Sequence, residues 1–597
     1  MVFGKHINRY YLKYALFLII GLVALLMVDI AQLKVPEFYR IVVNGVNDGV
    51  VEIDGVLHEF DLYLFLDEVC KPLLIVILMM VLGRFAWRVC FFTVGIRVTT
   101  DLRRRMFDHA KDLSLQYYQV NKVGNMMSLF TNDLETVEEG FSWGILTACD
   151  AFVLGGMAVY KMYRMNPTLT LLSMIPMVFL LAGALVLGKY MSKKWETRQE
   201  AFSSLSDFAQ ENFSGIAVVK AFVKEAKELL AFRKLNRENE EANVTYTRYS
   251  TMMHICVTLF LESVICVILG YGGYLAYHGQ FNAGELVEFI GYFNAVIWPI
   301  MAISELIDMS SRGRASVKRI SELLNAGQDV CDRADVEDLP VTRGEIRFDN
   351  LTFTYPDGDI PALSNISFHI PAGAHVGVIG RTGCGKTTLV DLILRTYAVP
   401  DGTIFVDGHD VNAIPIRNVR AAAAYVPQDN FLFSDTIANN ISFGVEETDY
   451  DEVRKAAILS DVDDNIQQFT DGYQTILGER GVTVSGGQKQ RISIARAMMK
   501  DAPILILDDS VSAVDTRTER VILDNLHESR AGRTTILIAH RVSTIQGMDL
   551  ILFMEDGTLQ DAGTHEELYA RCEAYHQMVE LQRLEDEKKR EEGESNV

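Results

Sequence analysis

Six apolar stretches, each near the 20 residues that a helix needs to span a bilayer, occupy the first 310 residues of this 597-residue chain. They lie at about 12–33, 71–97, 143–163, 167–189, 253–277 and 284–306. The first run is too long for a cleavable signal and opens a multi-span pattern. Between the first two runs, residues 35–70 carry eight acids against one base, Arg40. The segments before the first run, between the second and third, between the fourth and fifth, and after the sixth are rich in Lys and Arg. Examples are Lys5, Arg9, Arg103, Arg104, Arg105, Lys193, Lys194, Arg312 and Arg314. The positive-inside rule then places both termini in the cytoplasm, in a multi-pass protein of the plasma membrane.

The polar stretches 98–142 and 190–252 have helical periodicity and read as extensions of the spans beyond the membrane, since structureless loops of that length are uncommon. The expected organisation is a six-helix membrane domain over 1–310, a connector over 311–340, an α/β domain over 341–583 and a charged tail over 584–597. A net charge of -22 argues against nucleic acid as a partner, because phosphate backbones call for basic stripes. The eight cysteines form no C-x-x-C pair and no disulfide framework, so reduced thiols are expected.

In the α/β part, Val376-Gly377-Val378-Ile379 reads as a buried strand. It runs into Gly380-Arg381-Thr382-Gly383-Cys384-Gly385-Lys386-Thr387, with Thr388 opening an apolar helix. This is G-x-x-x-x-G-K-[ST] in strand–loop–helix context. Its glycines let backbone N–H groups turn inward around phosphates at a helix N-terminus. Lys386 is placed to reach the β- and γ-phosphates, and Thr387 to offer its hydroxyl to Mg²⁺. Downstream, Ile504-Leu505-Ile506-Leu507-Asp508 is an apolar run ending in a carboxylate, the pattern of a buried strand that delivers an acid to a bound Mg²⁺. Before it comes Val484-Ser485-Gly486-Gly487-Gln488, a Gly-Gly turn opening a second helix, hence another anion-binding terminus. Two such loops built on separate faces of one chain cannot hold one γ-phosphate, whereas two chains facing head-to-tail can.

With these strings in this order, the chain resembles the ATP-binding cassette (ABC) superfamily, Ser485 to Gln488 matching its signature. The resemblance implies ATP and Mg²⁺ as cofactors and extends to smaller matches. Tyr355 falls where the family stacks an aromatic ring on adenine, and Gln428 matches the glutamine that senses Mg²⁺ and the membrane domain. Asp508 matches the metal-side acid, Ser512 to Asp515 the D-loop, and His540 the switch histidine. Thr475 to Gly481 resembles a loop that exporters use to contact transmission helices. Leu115 to Asp133 and Phe213 to Phe222 resemble the two intracellular loops, whose coupling segments, near 113–122 and 211–222, are expected to dock on ATP-binding domains. Six spans ahead of one nucleotide-binding domain is the arrangement of an exporter-type half-transporter, so the resemblance covers nearly the whole chain.

The departure that matters is Asp509, where the family usually carries Glu as the base that polarises the attacking water. Asp is one methylene shorter, so its carboxylate falls back by roughly 1.5 Å, and a misplacement of about 1 Å can cost on the order of 100-fold in rate. In the family, Asp here commonly marks the degenerate member of a heterodimer. His540, which degenerate sites often lose, is retained, and this keeps a slow homodimer as an alternative. Val484 replaces the common Leu before the signature and is read as packing. Cys384 admits two readings, a redox or alkylation switch on nucleotide binding, or a small residue tolerated in a variable loop slot.

Ionisable residues inside spans are costly and usually face a cavity or pair with one another. Glu262 in span five is the candidate cation-seeking residue, with Asn294 and Trp298 one turn apart in span six. Arg84 and Arg88 share a face of span two. The mixed signs leave amphipathic drugs, lipids and peptides all open as substrates. The first reading of function is thus an ATP-driven exporter subunit in the lipid bilayer, paired with a second ABC half-transporter that carries Glu after its metal-side acid. A membrane protein that binds ATP to hold a state without pumping is the competing class.

Overall fold

A computed structural model of the chain describes residues 4–53, 56–334, 336–478, 481 and 484–594. It divides into two compact units. One is Met1–Ala110 with Gly124–Asn325, the other Lys111–Val123 with Ala326–Val597.

Long helices make up most of the first unit. Five helical stretches are long and apolar enough to cross a membrane among the described residues: Ala15–Asp48, Leu62–Ala110, Val123–Met165, Glu225–Tyr277 and Ala283–Asn325. The remaining expected span, 167–189, falls in the unbroken helix Pro167–Ser214. Its start, Pro167–Pro176, is apolar, and several of the side chains that follow lie outside the described residues. Leu74, Leu78 and Leu82, spaced four apart on one helix face, are 68%, 58% and 59% exposed. A stripe of that kind on a water-soluble protein would be an interaction surface, and on a spanning helix its partner is hydrocarbon.

The helices Pro167–Ser214 and Glu225–Tyr277 have 48 and 53 residues. At about 1.5 Å per residue they are roughly 70 and 80 Å long, more than twice the hydrocarbon thickness of about 30 Å. The spans therefore run on as helices well past the membrane, as their polar, periodic sequences predict. These two pack along each other and are joined by the short helix Ile216–Ala221. Around that turn, Phe213, Val218 and Phe222 are 75%, 61% and 69% exposed. In the acid-rich segment after the first span, β1 (Val50–Ile53) and β2 (Val56–Glu59) form an antiparallel hairpin.

In the second unit, ten further strands form two sheets. β3 (Ile346–Phe353), β4 (Leu363–Ile370), β6 (Ile404–Val406) and β7 (His409–Asp410) make an antiparallel sheet in the order β4-β3-β6-β7. The larger sheet contains β5 (His375–Gly380), β8 (Ala423–Val426), β9 (Ile504–Asp508), β10 (Thr534–Ile538), β11 (Leu550–Glu555) and β12 (Thr558–Gly563), in the order β12-β11-β5-β10-β9-β8. Every residue of β5, β9 and β10 is buried, which explains their continuous apolar runs: a parallel strand covered on both faces has no polar side to show. Since β5, β10, β9 and β8 are parallel neighbours, the loops after them emerge side by side at one edge of the sheet. Ligands of open α/β sheets bind outside such carboxyl ends.

Residues 111–123 belong to this unit. Tyr397 Oη donates to Gln119 Oε1 at 2.9 Å, and Ser114 Oγ to Asp329 Oδ2 at 3.0 Å. Glu479 and Arg480 of the Thr475–Gly481 loop lie outside the described residues, while Leu477 is bonded through its N–H to Asp435 O.

Candidate active site

The loop after β5 wraps around its own lysine. Lys386 is 7% exposed, and its ammonium donates to the carbonyls of Gly380 and Arg381 at 2.9 and 3.0 Å. Gly383 and Gly385 sit at φ +86° and +94°, the left-handed region that side chains resist. A Cβ at Gly383 would meet nothing within 4 Å, so the loop opens on free space, while one on Gly380 would strike Met554 O at 2.1 Å. The loop is thus closed behind and open in front, a cradle for a phosphate. The helix Lys386–Ile393 begins with the lysine itself, so its free N–H groups point into the same space.

Cys384 is buried, only 3% exposed, with its sulfur 3.9 Å from the Lys386 ammonium. Burial pushes its thiol up, against the opposing pull of Lys386, and a raised, buried thiol is a poor nucleophile. Of the two readings of Cys384, the packing residue is the one the geometry supports. Val484 is likewise buried in an apolar cluster with Leu477 and Ile492.

Two strands away, β9 ends at Asp508, which is 1% exposed and whose Oδ2 has no hydrogen-bond partner. Burial raises this carboxyl above its usual range, the Thr387 hydroxyl pulls against that, and the Asp509 charge pushes further up. Asp391 behind it is raised to about 6, by burial first and then by Asp508. An orphaned carboxylate oxygen beside a threonine hydroxyl suits a hard divalent cation. The donor set therefore fits Mg²⁺ held by Thr387 and Asp508, next to a triphosphate in the loop.

Asp509 leaves the strand with φ +46° and bonds through its N–H to Ile538 O. Its carboxylate is 3.9 Å from His540 Nε2, at the end of the adjacent β10. Gln490 holds the backbone that follows: its Nε2 donates to Asp509 O at 3.5 Å and its Oε1 accepts from Ala513 N at 3.0 Å. Gln582, from the C-terminal helix Glu573–Glu594, does the same beside His540. It donates to His540 O and accepts from Val542 N, both at 2.8 Å. The motifs had flagged neither glutamine. Gln490 stands in the signature helix two residues past Gln488, and Gln582 is 42 residues beyond the histidine it holds, so neither forms a local string with its target.

Tyr355 is half-buried, its hydroxyl 2.8 Å from Thr388 Oγ1 and its ring edge-on to Phe353 and Tyr397. Gln428 follows β8 and is exposed, as are Arg381 and Thr382. Ser485 caps the helix Gly486–Met499 in a capping box with Gln488. A Cβ on Gly486 would meet nothing within 4 Å, and one on Gly487 would crowd Ala513 O at 3.1 Å. The signature thus presents a clear helix N-terminus outward.

These features have close counterparts elsewhere. Residues 7–300 match the ABC transporter transmembrane region and residues 363–512 the ABC transporter domain. The chain is 33% identical over 582 residues to the probable multidrug resistance ABC transporter ATP-binding/permease protein YheI of Bacillus subtilis, covering 97% of each. This chain belongs to the ABC transporter family. It is also 34% identical to the multidrug resistance-like ATP-binding protein MdlA of Escherichia coli, over 95% of this chain and 94% of the other. The structure of a bacterial Atm1-family ABC exporter with ATP bound matches 97% of this chain and 99% of its own, with TM-score 0.73 and 27% identity. The architecture is that of an exporter-type ABC transporter: a helical membrane domain followed by an α/β ATP-binding domain, coupling ATP hydrolysis to transport.

The membrane unit brings some of the candidate cavity residues together. Trp298 Nε1 donates to Asp150 Oδ2 at 2.9 Å, and Arg84 lies within electrostatic reach of the same carboxylate. Arg88 stacks over the Trp87 ring at 5.3 Å. Asn294 and Glu262 are exposed, and among the described residues no bond joins Glu262 to Asn294 or Trp298. The acids at the centre of the cluster, Asp150 and Asp29, were passed over in the sequence, although the criterion that selected Glu262 applies equally to them.

Proposed function

We propose that this chain is one half of a heterodimeric exporter in which its own ATP site is slow and its signature completes the partner's competent site. The observation that carries the reading is Asp509. Around it stand the phosphate cradle Gly380–Thr388, the metal-side acid Asp508, and His540 at 3.9 Å, yet the residue in the base position is one methylene short. The Ser485-Gly486-Gly487-Gln488 turn supports the second half of the proposal, because a helix N-terminus with open space beyond Gly486 is available to a phosphate on another chain.

In this mechanism Tyr355 stacks on adenine, and Lys386 exchanges the Gly380 and Arg381 carbonyls for phosphate oxygens. Thr387, Asp508 and Gln428 would hold Mg²⁺, which when bound would supply positive charge to offset that of the phosphates. Asp509 orients the attacking water from too far back, and His540 steadies the γ-phosphate side. Nucleotide held in this site keeps the two ATP-binding domains together while the partner's site turns over. The membrane domain over 1–310 sits in the plasma membrane with both termini cytoplasmic, the connector over 311–340 leads to the ATP-binding domain over 341–583, and 584–597 is a charged tail. Relatives named for multidrug resistance support amphipathic drugs as substrates, and a relative named ATP-dependent lipid A-core flippase supports lipids.

The retained contact between His540 and Asp509 favours a second reading, a slow homodimer. Steady-state ATPase of the chain purified alone, against the chain co-expressed with a half-transporter carrying Glu at the matching position, separates them. Near-zero activity alone with robust activity together supports the heterodimer. Substantial activity alone means that Asp509 is a working base, and the asymmetric mechanism falls.

A further inference from the structure

Asp29 lies in the first span, 2% exposed, and its Oδ2 has no hydrogen-bond partner. The helix turn that carries it packs against the third span, where Asp150 opens a short π-helical stretch, Asp150–Leu154, close enough for the two carboxylates to feel each other. π-Bulges of this kind are frequent at functional sites. Arg84 of the second span acts on Asp150, and Trp298 of the sixth donates to it. Cys149 stands beside both acids. A second buried polar atom is also unpartnered: Nε1 of Trp87, 4% exposed, packed with Val28 in the apolar cluster between the first two spans. Four spans thus converge on two acids, one arginine and one indole donor that is already used.

The charges do not balance. Asp150 has an N–H donor and a neighbouring guanidinium, whereas Asp29 has an orphaned oxygen and a like charge. Carrying an unpaired carboxylate in a span costs kilocalories, and breaking even requires a counter-charge or a proton. Arg84 supplies one positive charge for two acids. What is missing is one more, at a carboxylate, Asp29, that is itself buried.

We propose that Asp29 and Asp150 form a proton-binding site in the membrane unit, holding one proton between them while the first and third spans are together. With that proton the cluster of Asp29, Asp150 and Arg84 is neutral. The orphaned Oδ2 becomes a hydroxyl or faces a neutral neighbour, and the site releases its proton when water reaches it. The inference stands apart from the asymmetry of the ATP sites.

Infrared difference spectroscopy on the full chain with its partner in lipid nanodiscs tests it directly. At pH 7 the wild type should show a carboxylic-acid C=O band that shifts in D₂O, and Asp29→Asn should lose it while remaining monodisperse. Asp29→Asn should also lose one ionisation from the pH profile of ATPase activity, with ATP KM unchanged. Identical spectra for wild type and Asp29→Asn would overturn the proposal. Should that variant not fold, dicyclohexylcarbodiimide on the wild type takes its place, since the reagent attacks protonated carboxyls in apolar surroundings. An adduct at Asp29 or Asp150 that fades as pH rises is expected. Labelling of exposed acids alone would overturn the proposal. Protection by tetraphenylphosphonium with no acid band in the infrared would replace the proton with a cationic ligand.

Discussion

Two buried carboxylates among the described residues each leave an oxygen without a partner, Asp508 at the edge of the large sheet and Asp29 inside the helical unit. Their surroundings differ in one respect that decides their chemistry. Around Asp508 stand Lys386, Thr387 and His540, all able to offer charge or a hydroxyl, and in front is open space above Gly383. Around Asp29 stand another acid, the Cys149 thiol and apolar side chains. The first environment waits for a cation and a polyanion together, the second lacks a single positive charge that a proton would supply. Burial alone therefore does not say what an orphaned acid is for; the neighbours do.

The largest effect expected on the first side of that comparison comes from Lys386→Ala. It removes the charge the cradle is folded around, and ATPase of the assembled dimer should fall about 100-fold or more if this site must hold nucleotide. An unchanged rate would break the view that the site works at all. Asp509→Glu comes next, restoring the missing methylene. Under the heterodimer reading, hydrolysis at this site should rise on the order of 100-fold, measured by single-site turnover with the partner's Glu replaced by Gln. Gln582→Ala removes two hydrogen bonds that hold the backbone around His540. At about 1 kcal/mol each, single-site turnover here, read with the partner's Glu replaced by Gln, should drop roughly 5–30-fold with KM for ATP little changed, and Gln582→Glu, which keeps the acceptor, should recover part of it.

Smaller still is a pH effect. Asp391 is raised to about 6 in the fold, whereas unfolded aspartates ionise near 4. The unfolded state therefore loses its proton first, and nucleotide-free stability falls as pH rises from about 4 to about 6. Asp391→Asn should lift the unfolding midpoint by about 2–4 °C at pH 7.5 and leave it unchanged at pH 4, read by thermal denaturation without nucleotide. The smallest change belongs to Cys384→Ser, with ATPase within about 2-fold of wild type and slow modification of the native thiol by iodoacetamide. Rapid labelling that abolishes ATP binding would restore the switch reading.

What could be read from the sequence was whatever is encoded locally. The phosphate loop, the acid at the end of β9 and the signature turn are each contiguous strings whose residue types have a backbone or charge reason to be there. The long helices were legible for the same reason, since periodicity continues past each apolar run. Contacts between distant elements were not. Nothing near Gln582 points to residue 540, and nothing near Asp29 points to Asp150 until the first and third spans are seen side by side. Glu262 was selected because it is an acid in a span, yet it has no partner among the described residues, while the acids that do converge on Arg84 and Trp298 carried the same local signal. Single-residue polarity finds candidates, and only packing sorts them.

The helices of 48 and 53 residues have a mechanical consequence. They continue roughly 40 and 50 Å beyond the bilayer as unbroken rods that curve only gently. Tilting such a rod by about 10° about its membrane end sweeps the Ile216–Ala221 turn through roughly 7 Å, more than one helical pitch. A leverage of that size lets a modest adjustment among the spans become a full step at the far end, and the same gearing works in reverse.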